Sequence, residues 1–320
     1  MTRRLLILLA VFVTHGSAFA ADWPAKQVRF IVPFSAGGAT DGPARLLAQR
    51  LSAIWQQPVI VENRTGAGGA LGAAEVSRSP ADGYTLLFPS GSVMTVNQFI
   101  YPKLSYDPEK DLVAVTKVVS GPQVLVVGNA SPYKTIQDLL AAAKATPGKL
   151  TFGHAGIGSQ SHLATEYFLG EAGIQAVSVP YKGDPPALLD IIAGSVDFGL
   201  INLGAAVGHI GSARLRTLGV TSRLPLATLP GVVPIASVLP GFESSGWFGI
   251  VAPRGVPSAI IEKIFNDVHS VLMEPETRSR LTAMGFTAIG NSPREMDIEM
   301  QAERKRWSKL VAERNIQVAP

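Results

Sequence analysis

Residues 28–41 read VRFIVPFSAGGATD, an apolar run that passes directly into a Gly-rich loop. The run at 28–32 is short and rich in β-branched residues, which predicts a buried β-strand. After the loop, apolar residues recur at helical spacing between Pro43 and Trp55, which predicts an α-helix. The first amides of a helix have no partner within it, and the helix dipole adds positive charge beside them. The stretch therefore predicts an α/β fold with an anion site where loop and helix meet.

Two more Gly-rich loops follow, GAGGALG at 66–72 and GHAGIGSQS at 153–161. Glycines there could also serve a structural purpose, because they permit tight turns and close packing of a helix on a sheet. The sequence has no Gly-x-Ser-x-Gly elbow, no His-Glu-x-x-His motif and no Walker loop. Three such loops without a catalytic motif favour a protein that holds an anionic small molecule and does not change it.

The predicted elements fall into two sets. Strands and helices alternate from residue 28 to residue 88, which predicts a mainly parallel sheet covered by helices. A second set begins near Val124, and within it Asp184-Pro185-Pro186 is typical of an N-cap followed by proline. Two long helices, 258–273 and 293–314, are expected to finish the chain.

This pattern predicts two lobes joined by chain crossings near residues 123 and 248. Residues 21–123 and 248–320 form the expected lobe 1, and residues 124–247 form lobe 2. Each lobe is expected to contain a mostly parallel or mixed sheet flanked by helices.

The N-terminus has the features of a secretory leader. Arg3 and Arg4 precede a short apolar core, and Ala18-Phe19-Ala20 is a small-x-small cleavage site. The apolar core is too short to span a bilayer, which requires about 20 residues. We therefore expect residues 1–20 to be a signal peptide cleaved after Ala20, and the mature protein to be soluble in the periplasm.

Composition excludes several classes of protein. The chain has 320 residues, a formal net charge of +4 and no cysteine, which removes thiol catalysis and Cys-ligated metals. No basic stripe with interleaved aromatic residues suggests a nucleic-acid partner. His162 and Glu166 lie four apart, at a spacing that suits a metal pair. A third ligand is missing at useful spacing, so a local polar contact is favoured, and no metal or cofactor is expected.

Several blocks carry a resemblance to a known family. They are IVPFSAGGATD at 31–41, ENRTGAGG at 62–69, DGYTL at 82–86, YDPEKD at 106–111, GIGSQSHLATE at 156–166 and VPYKG at 179–183. In order and spacing the chain resembles the Bug/TctC-type periplasmic solute-binding proteins of tripartite tricarboxylate transporters. The resemblance implies a two-lobe Venus-flytrap fold, type II-like. It also implies an organic carboxylate held in the cleft by main-chain amides and waters of the first and third Gly-rich loops.

Within these blocks the candidate ligand-binding residues share a place in a Gly-rich loop or beside one. They are Phe34, Ser35, Ala36, Gly37, Gly38, Asp41, Ser90, His154, Gly156, Gly158, Ser159, His162, Tyr181, Lys182 and Gly183. Phe34 is expected to form an apolar wall. Three of these residues also have a structural interpretation. Asp41 would lie in the first helical turn, capped by Thr40, where its charge suits the helix dipole. Ser159 would be an N-cap, and Lys182 would be a solvated surface group.

His154 departs from the pattern, because family members often carry serine there. If it faces the cleft, it would tune which carboxylate fits, and its charge would vary near pH 6.5. The alternative is that His154 points into its own lobe and only packs.

The leading functional hypothesis is a monomeric periplasmic receptor that delivers a small organic carboxylate to membrane permease subunits. One alternative is a secreted hydrolase or isomerase that acts on a carboxylate and uses His162 or His154 as a base. A third is a receptor that signals to a membrane sensor.

Overall fold

The computed structural model of the chain describes residues 23–314. The expected signal peptide and its cleavage after Ala20 lie outside the described residues. The strands are β1 Val28–Val32, β2 Val59–Asn63, β3 Thr85–Leu87, β4 Leu112–Gly128, β5 Thr151–His154, β6 Val177–Pro180, β7 Gly199–Asn202, β8 Leu215–Val220, β9 Ser245–Pro253 and β10 Thr287–Ala288. The helices are α1 Asp41–Trp55, α2 Ala70–Ser77, α3 Gly91–Thr95, α4 Asn97–Ile100, α5 Ile136–Ala145, α6 Gln160–Ala172, α7 Asp184–Ala193, α8 Leu203–Gly211, α9 Ser258–Met273, α10 Pro275–Ala283 and α11 Pro293–Arg314.

The opening stretch folds as its pattern predicts. β1 is an inner strand that pairs in parallel with β2 on one side and β3 on the other. α1 covers this sheet because its apolar residues share one face, and Leu47 and Leu51 pack with Phe30 in one buried cluster. The strand, the loop and the helix therefore place residues 34–40 at the carboxyl end of an inner parallel strand, where open α/β sheets bind ligands.

β4 is the element that joins the two sets of strands. Its first part, from Leu112 to Pro122, pairs antiparallel with β9. Its last part, from Gln123 to Gly128, pairs with β7 and β8. The strand expected to begin near Val124 is thus the second half of a longer one, because pairing continues through Gly121 and Pro122.

Each set of strands has its own hydrophobic core. Phe30, Phe88 and Ile264 belong to a cluster around β1 and α9, whereas Phe152 and Phe198 belong to a cluster around β5, β7 and α6. β5 and β6 pair in parallel, so both parallel and antiparallel pairs occur, as expected for a mixed α/β fold.

The C-terminal part contains two elements that the sequence pattern did not predict, α10 and the short strand β10. α9 and α11 occupy the predicted ranges, but α10 lies between them. Its apolar signal is weak, because only Thr277 and Leu281 of its residues are buried. Between residues 23 and 314, no helix combines the length and the apolar character that a membrane crossing needs.

Candidate functional site

A small cavity opens where the loop after β1, the loop before α6, the start of α7 and β9 meet. Its empty volume is about 270 Å³. It is lined by Phe34, Gly38, Ala39, Thr40, Ser90, Ala155, Ser159, Gln160, Asp184, Asn202 and Phe248. These residues come from both sets of strands, so the cavity lies between them.

The first Gly-rich loop is held in shape by Asp41. The Asp41 carboxylate accepts hydrogen bonds from the Gly37 amide at 3.0 Å, from Arg45 Nε at 2.8 Å and from Asn63 Nδ2 at 3.0 Å. Burial opposes its charge, but these hydrogen bonds outweigh burial and lower the pKa of Asp41. These bonds fit the structural role expected for Asp41, which is not among the residues that line the cavity. Thr40 holds the N-cap position of α1, as expected, but its side chain makes no capping hydrogen bond.

The residues of this loop that line the cavity lie further along the chain than predicted. Ala36 and Gly37 are exposed, and the Gly38 amide donates to the Ser35 carbonyl at 3.3 Å. Ala39 and Thr40, which were not among the predicted contacts, line the cavity. Within residues 23–314 their backbone amides have no hydrogen-bond acceptor, as expected for the amides just before a helix.

Of the other predicted contacts, Phe34, Ser90 and Ser159 line the cavity. Phe34 is 7% exposed, consistent with an apolar wall. The Ser90 hydroxyl lies 3.0 Å from that of Ser92. Ser159 is both the N-cap of α6, accepting from the His162 amide at 3.3 Å, and a lining residue, so its two interpretations coexist.

The two histidines, His154 and His162, are not among the residues that line the cavity. His154 is fully buried, with Nε2 2.7 Å from Ser178 Oγ and Nδ1 accepting from the Gly156 amide at 3.2 Å. Burial, together with neighbouring His162, lowers the pKa of His154 to about 3. The expectation that His154 faces the cleft and titrates near pH 6.5 is therefore wrong, because the ring packs within its own set of strands.

His162 is likewise placed for packing and not for ligand contact. Its Nδ1 accepts from the Gly158 amide at 3.2 Å, and its Nε2 lies 3.7 Å from Glu166 Oε1. Burial lowers the pKa of His162 to about 4 and raises that of Glu166. Among the described residues, no group of three or more acidic or histidine side chains could hold a metal ion.

The remaining candidates bring the two sides of the cavity together. The Ser35 amide donates to the Lys182 carbonyl at 3.2 Å, whereas the Lys182 side chain is exposed. The Tyr181 hydroxyl donates to the Asp190 carboxylate, and burial with this bond raises the pKa of Tyr181 to about 12. Gly183 lies against Ser35 with no room for a Cβ.

Gly156 and Gly158 also allow close approach and do not line the cavity. A Cβ at Gly156 would lie 3.1 Å from the Tyr181 carbonyl oxygen, and one at Gly158 would lie 2.6 Å from Asn97 Oδ1. Eleven of the predicted contacts do not line the cavity. They are Ser35, Ala36, Gly37, Asp41, His154, Gly156, Gly158, His162, Tyr181, Lys182 and Gly183.

Asp184 and Asn202 are lining residues that the sequence pattern did not reveal. Asp184 is the first residue of α7, and Gly183 is its N-cap, so the predicted N-cap is displaced by one residue. Its carboxylate accepts from Ser161 Oγ at 2.9 Å and from Asn202 Nδ2 at 2.8 Å. The polar residue before two prolines was visible in the sequence, but its partners come from other elements.

Several known proteins are similar to this chain over most of its length. Protein BugT of Bordetella pertussis is 36% identical over 316 residues, covering 97% of both chains. A Rhodopseudomonas palustris structure described as Rpa4515 with adipate has 34% identity and a TM-score of 0.90, covering 92% of this chain and 100% of its own. MatC of the same species, with bound malate, has 29% identity and a TM-score of 0.86, covering 90% and 100%.

These similarities extend through almost the whole chain and not only through the loops. The family model described as the tripartite tricarboxylate transporter family receptor matches residues 43–316. The match runs from α1 through α11 and includes strands β2 to β10, whereas β1 and the loop after it precede the matched range. The chain belongs to the TctC family of tripartite tricarboxylate transporter receptors.

Proposed function

We propose that this protein is a periplasmic receptor that holds a small organic carboxylate in the cavity between its two lobes. The observation that carries the proposal is that Ala39 and Thr40 line the cavity at the N-terminus of α1, and that their amides have no acceptor among residues 23–314. A carboxylate oxygen is a suitable acceptor for such amides. The adipate and malate bound by two related structures support this class of ligand.

The lobes are residues 21–123 with 248–320, and residues 124–247. β4 and β9 cross between them, and bending at these crossings would open and close the cavity. The receptor acts as a monomer, and its closed form is recognised by permease subunits of a tripartite tricarboxylate-type transporter. A membrane sensor is a further expected partner of the same form.

Binding without chemistry distinguishes this proposal from a hydrolase or isomerase. His154 and His162, the bases that such an enzyme would use, are buried outside the cavity. Isothermal titration with a panel of mono- and dicarboxylates, followed by mass spectrometry of the recovered compound, tests the two functions. We expect saturable binding and unchanged ligand; turnover of any bound compound would overturn the receptor assignment.

Export belongs to the same proposal. The basic start, apolar core and Ala18-Phe19-Ala20 site predict a mature chain that begins at Ala21. Intact mass of the protein from a periplasmic extract tests this prediction. A full-length, membrane-bound species would contradict it.

A further inference from the structure

The cavity contains an acidic side chain and no basic one among its described lining residues. Asp184 is 4% exposed, and each of its carboxylate oxygens accepts one hydrogen bond, from Ser161 and Asn202. A carboxylate has about four acceptor positions, so these two bonds leave capacity for a further donor. A site that attracts anions through backbone amides thus carries a buried acid in its wall.

Among residues 23–314, no basic side chain forms an ion pair or hydrogen bond with Asp184, whose partners are Ser161 and Asn202. Burial raises its pKa, and the hydrogen bonds from Asn202 and Ser161 offset this only in part. The titratable groups on elements near Asp184 are Tyr181 and Lys182 before α7, Asp190 on α7, His154 on β5, His162, Glu166, Tyr167 and Glu171 on α6, His209 on α8, and Asp41 and Arg45 on α1. The carboxylate of Asp41 is already paired with Arg45, and that of Asp190 accepts from Tyr181.

A second acceptor lies in the same wall. Gln160 Nε2 donates to the Trp247 carbonyl at 2.7 Å, which fixes the orientation of the amide. Its Oε1 is buried without a hydrogen-bond partner in the described part of the chain. A buried acceptor without a donor is costly, but this oxygen lies against Gly246, which is not a lining residue, so Asp184 is the acceptor that a ligand in the cavity would meet.

We propose that Asp184 is a specificity residue, and that the receptor selects a carboxylate whose other end carries a hydrogen-bond donor over a dicarboxylate. This inference rests on the proposed function, because it assumes that a carboxylate occupies the amides at Ala39 and Thr40. An ammonium, amide or hydroxyl group would satisfy Asp184. A second ionised carboxylate would face it without a neutralising cation, and would bind only when a proton is shared between the two acids.

A matched ligand panel tests this selection by isothermal titration. One set has four carbons (butyrate, succinate, 4-hydroxybutyrate and 4-aminobutyrate), and the other has six (hexanoate, adipate, 6-hydroxyhexanoate and 6-aminohexanoate). In the wild type at pH 8, we expect at least one donor-bearing compound to bind about tenfold more tightly than the diacid of its length. The hydroxyl and ammonium compounds distinguish a neutral donor from a cationic one.

Asp184→Asn tests the residue, and Asp190→Asn is the matched control on the same helix, since the cavity lining does not include Asp190. We expect Asp184→Asn to reverse the preference, with diacid affinity rising and donor affinity falling by about tenfold each. Between pH 6 and pH 8, wild-type affinity for a diacid should fall by up to about tenfold per pH unit, because binding then takes up a proton. The variant should lose that dependence. Circular dichroism and thermal unfolding check that both variants fold.

Three other results would overturn either the role of Asp184 or the proposed receptor function. Carboxylate binding with the same preference and pH profile in wild type and Asp184→Asn would overturn the role of Asp184 and leave the receptor function intact. If Asp184→Asn does not fold, a diacid that binds the wild type as tightly as its donor-bearing counterparts at pH 8, without pH dependence, overturns the inference. Absence of binding by every compound to folded wild type would instead overturn the proposed carboxylate-receptor function, and the inference with it.

Discussion

The Ser35 amide donates to the Lys182 carbonyl oxygen over 3.2 Å, and this bond joins the loop after β1 to the loop before α7. Two further contacts join the same two sets of strands. The Tyr101 hydroxyl donates to the Ile157 carbonyl at 2.7 Å, and a Cβ at Gly38 would lie 3.5 Å from Pro185. Gly38 and Ile157 belong to the first and third Gly-rich loops, so these two loops bring the two sets of strands close together at the backbone.

Gly68 offers a test of this close approach. It has φ +56°, and a Cβ there would clash with the Ile157 carbonyl and lie 2.8 Å from the Tyr101 hydroxyl. We expect Gly68→Ala to raise the apparent dissociation constant about tenfold, if the closed population falls to a tenth. Isothermal titration measures the affinity, and small-angle scattering with saturating ligand measures closure.

Gly148→Ala is the matched control for Gly68→Ala. Gly148 has φ +69° and nothing within 4 Å of a Cβ. Both substitutions should therefore lower the free energy of unfolding by roughly 1–2 kcal/mol through the left-handed backbone alone. Equal ligand affinity in the two variants would show that the contact between Gly68 and Ile157 does not govern closure.

The sequence predicted local elements better than contacts between elements. The apolar run around Phe30 and the helical spacing of apolar residues in α1 were sufficient to predict the strand, the loop and the helix. Each of these elements depends on residues that are near one another in the sequence. The resemblance to a family directed attention to the first and third Gly-rich loops, and residues of both line the cavity. It could not tell that Gly37 faces solvent while Thr40 faces the cavity, since that depends on how Asp41 folds the loop back. Asp184 was missed because its partners lie on α6 and β7, distant in sequence.

Gly38 and Gly37 should respond differently to substitution. Gly38 lines the cavity, and a Cβ there would already lie 3.1 Å from the Ser35 carbonyl oxygen. We therefore expect Gly38→Val to abolish detectable carboxylate binding while the protein remains folded. Gly37 is exposed with φ +74° and free space around it. Gly37→Ala should keep its affinity and lose roughly 1–2 kcal/mol of unfolding free energy.

Isothermal titration and urea unfolding separate these two effects. Normal affinity in a folded Gly38→Val protein would remove the first loop from the anion site. Loss of affinity in Gly37→Ala would show that the hydrogen bond between Gly37 and Asp41, and not the cavity wall, controls binding.

The buried pair His154 and His162 should make stability depend on pH. Their pKa values are about 3 and about 4 in the folded protein, whereas an unperturbed histidine titrates near 6.5. Below pH 6.5 the unfolded chain therefore binds more protons than the folded one, and stability is lost as pH falls. From pH 7.5 to pH 5, the expected loss is about 2 kcal/mol per histidine.

Urea unfolding at pH 7.5 and pH 5 measures this loss. His154→Gln should reduce the difference between the two pH values, whereas His269→Gln, outside the pair, should leave it in place. An unchanged difference in His154→Gln would mean that this ring is protonated in the folded protein. His154 remains neutral between pH 5.5 and pH 8, so it should contribute nothing to any change in ligand affinity over that range.

Glu303 on α11 should contribute more to stability than Glu299, one turn earlier. Glu303 accepts from Trp247 Nε1 at 2.9 Å and from Lys117 Nζ at 3.1 Å, and its side chain is 20% exposed. Glu299 also contacts Lys117, at 2.6 Å, but it is 50% exposed. Glu303→Gln should lower the free energy of unfolding by about 1–3 kcal/mol, because the Lys117 ammonium is nearly buried. Glu299→Gln should cost under about 1 kcal/mol, as for exposed ion pairs. Urea unfolding of both variants measures the difference, and an equal or larger loss in Glu299→Gln would show that the exposed carboxylate, not the one beside Trp247, neutralises Lys117.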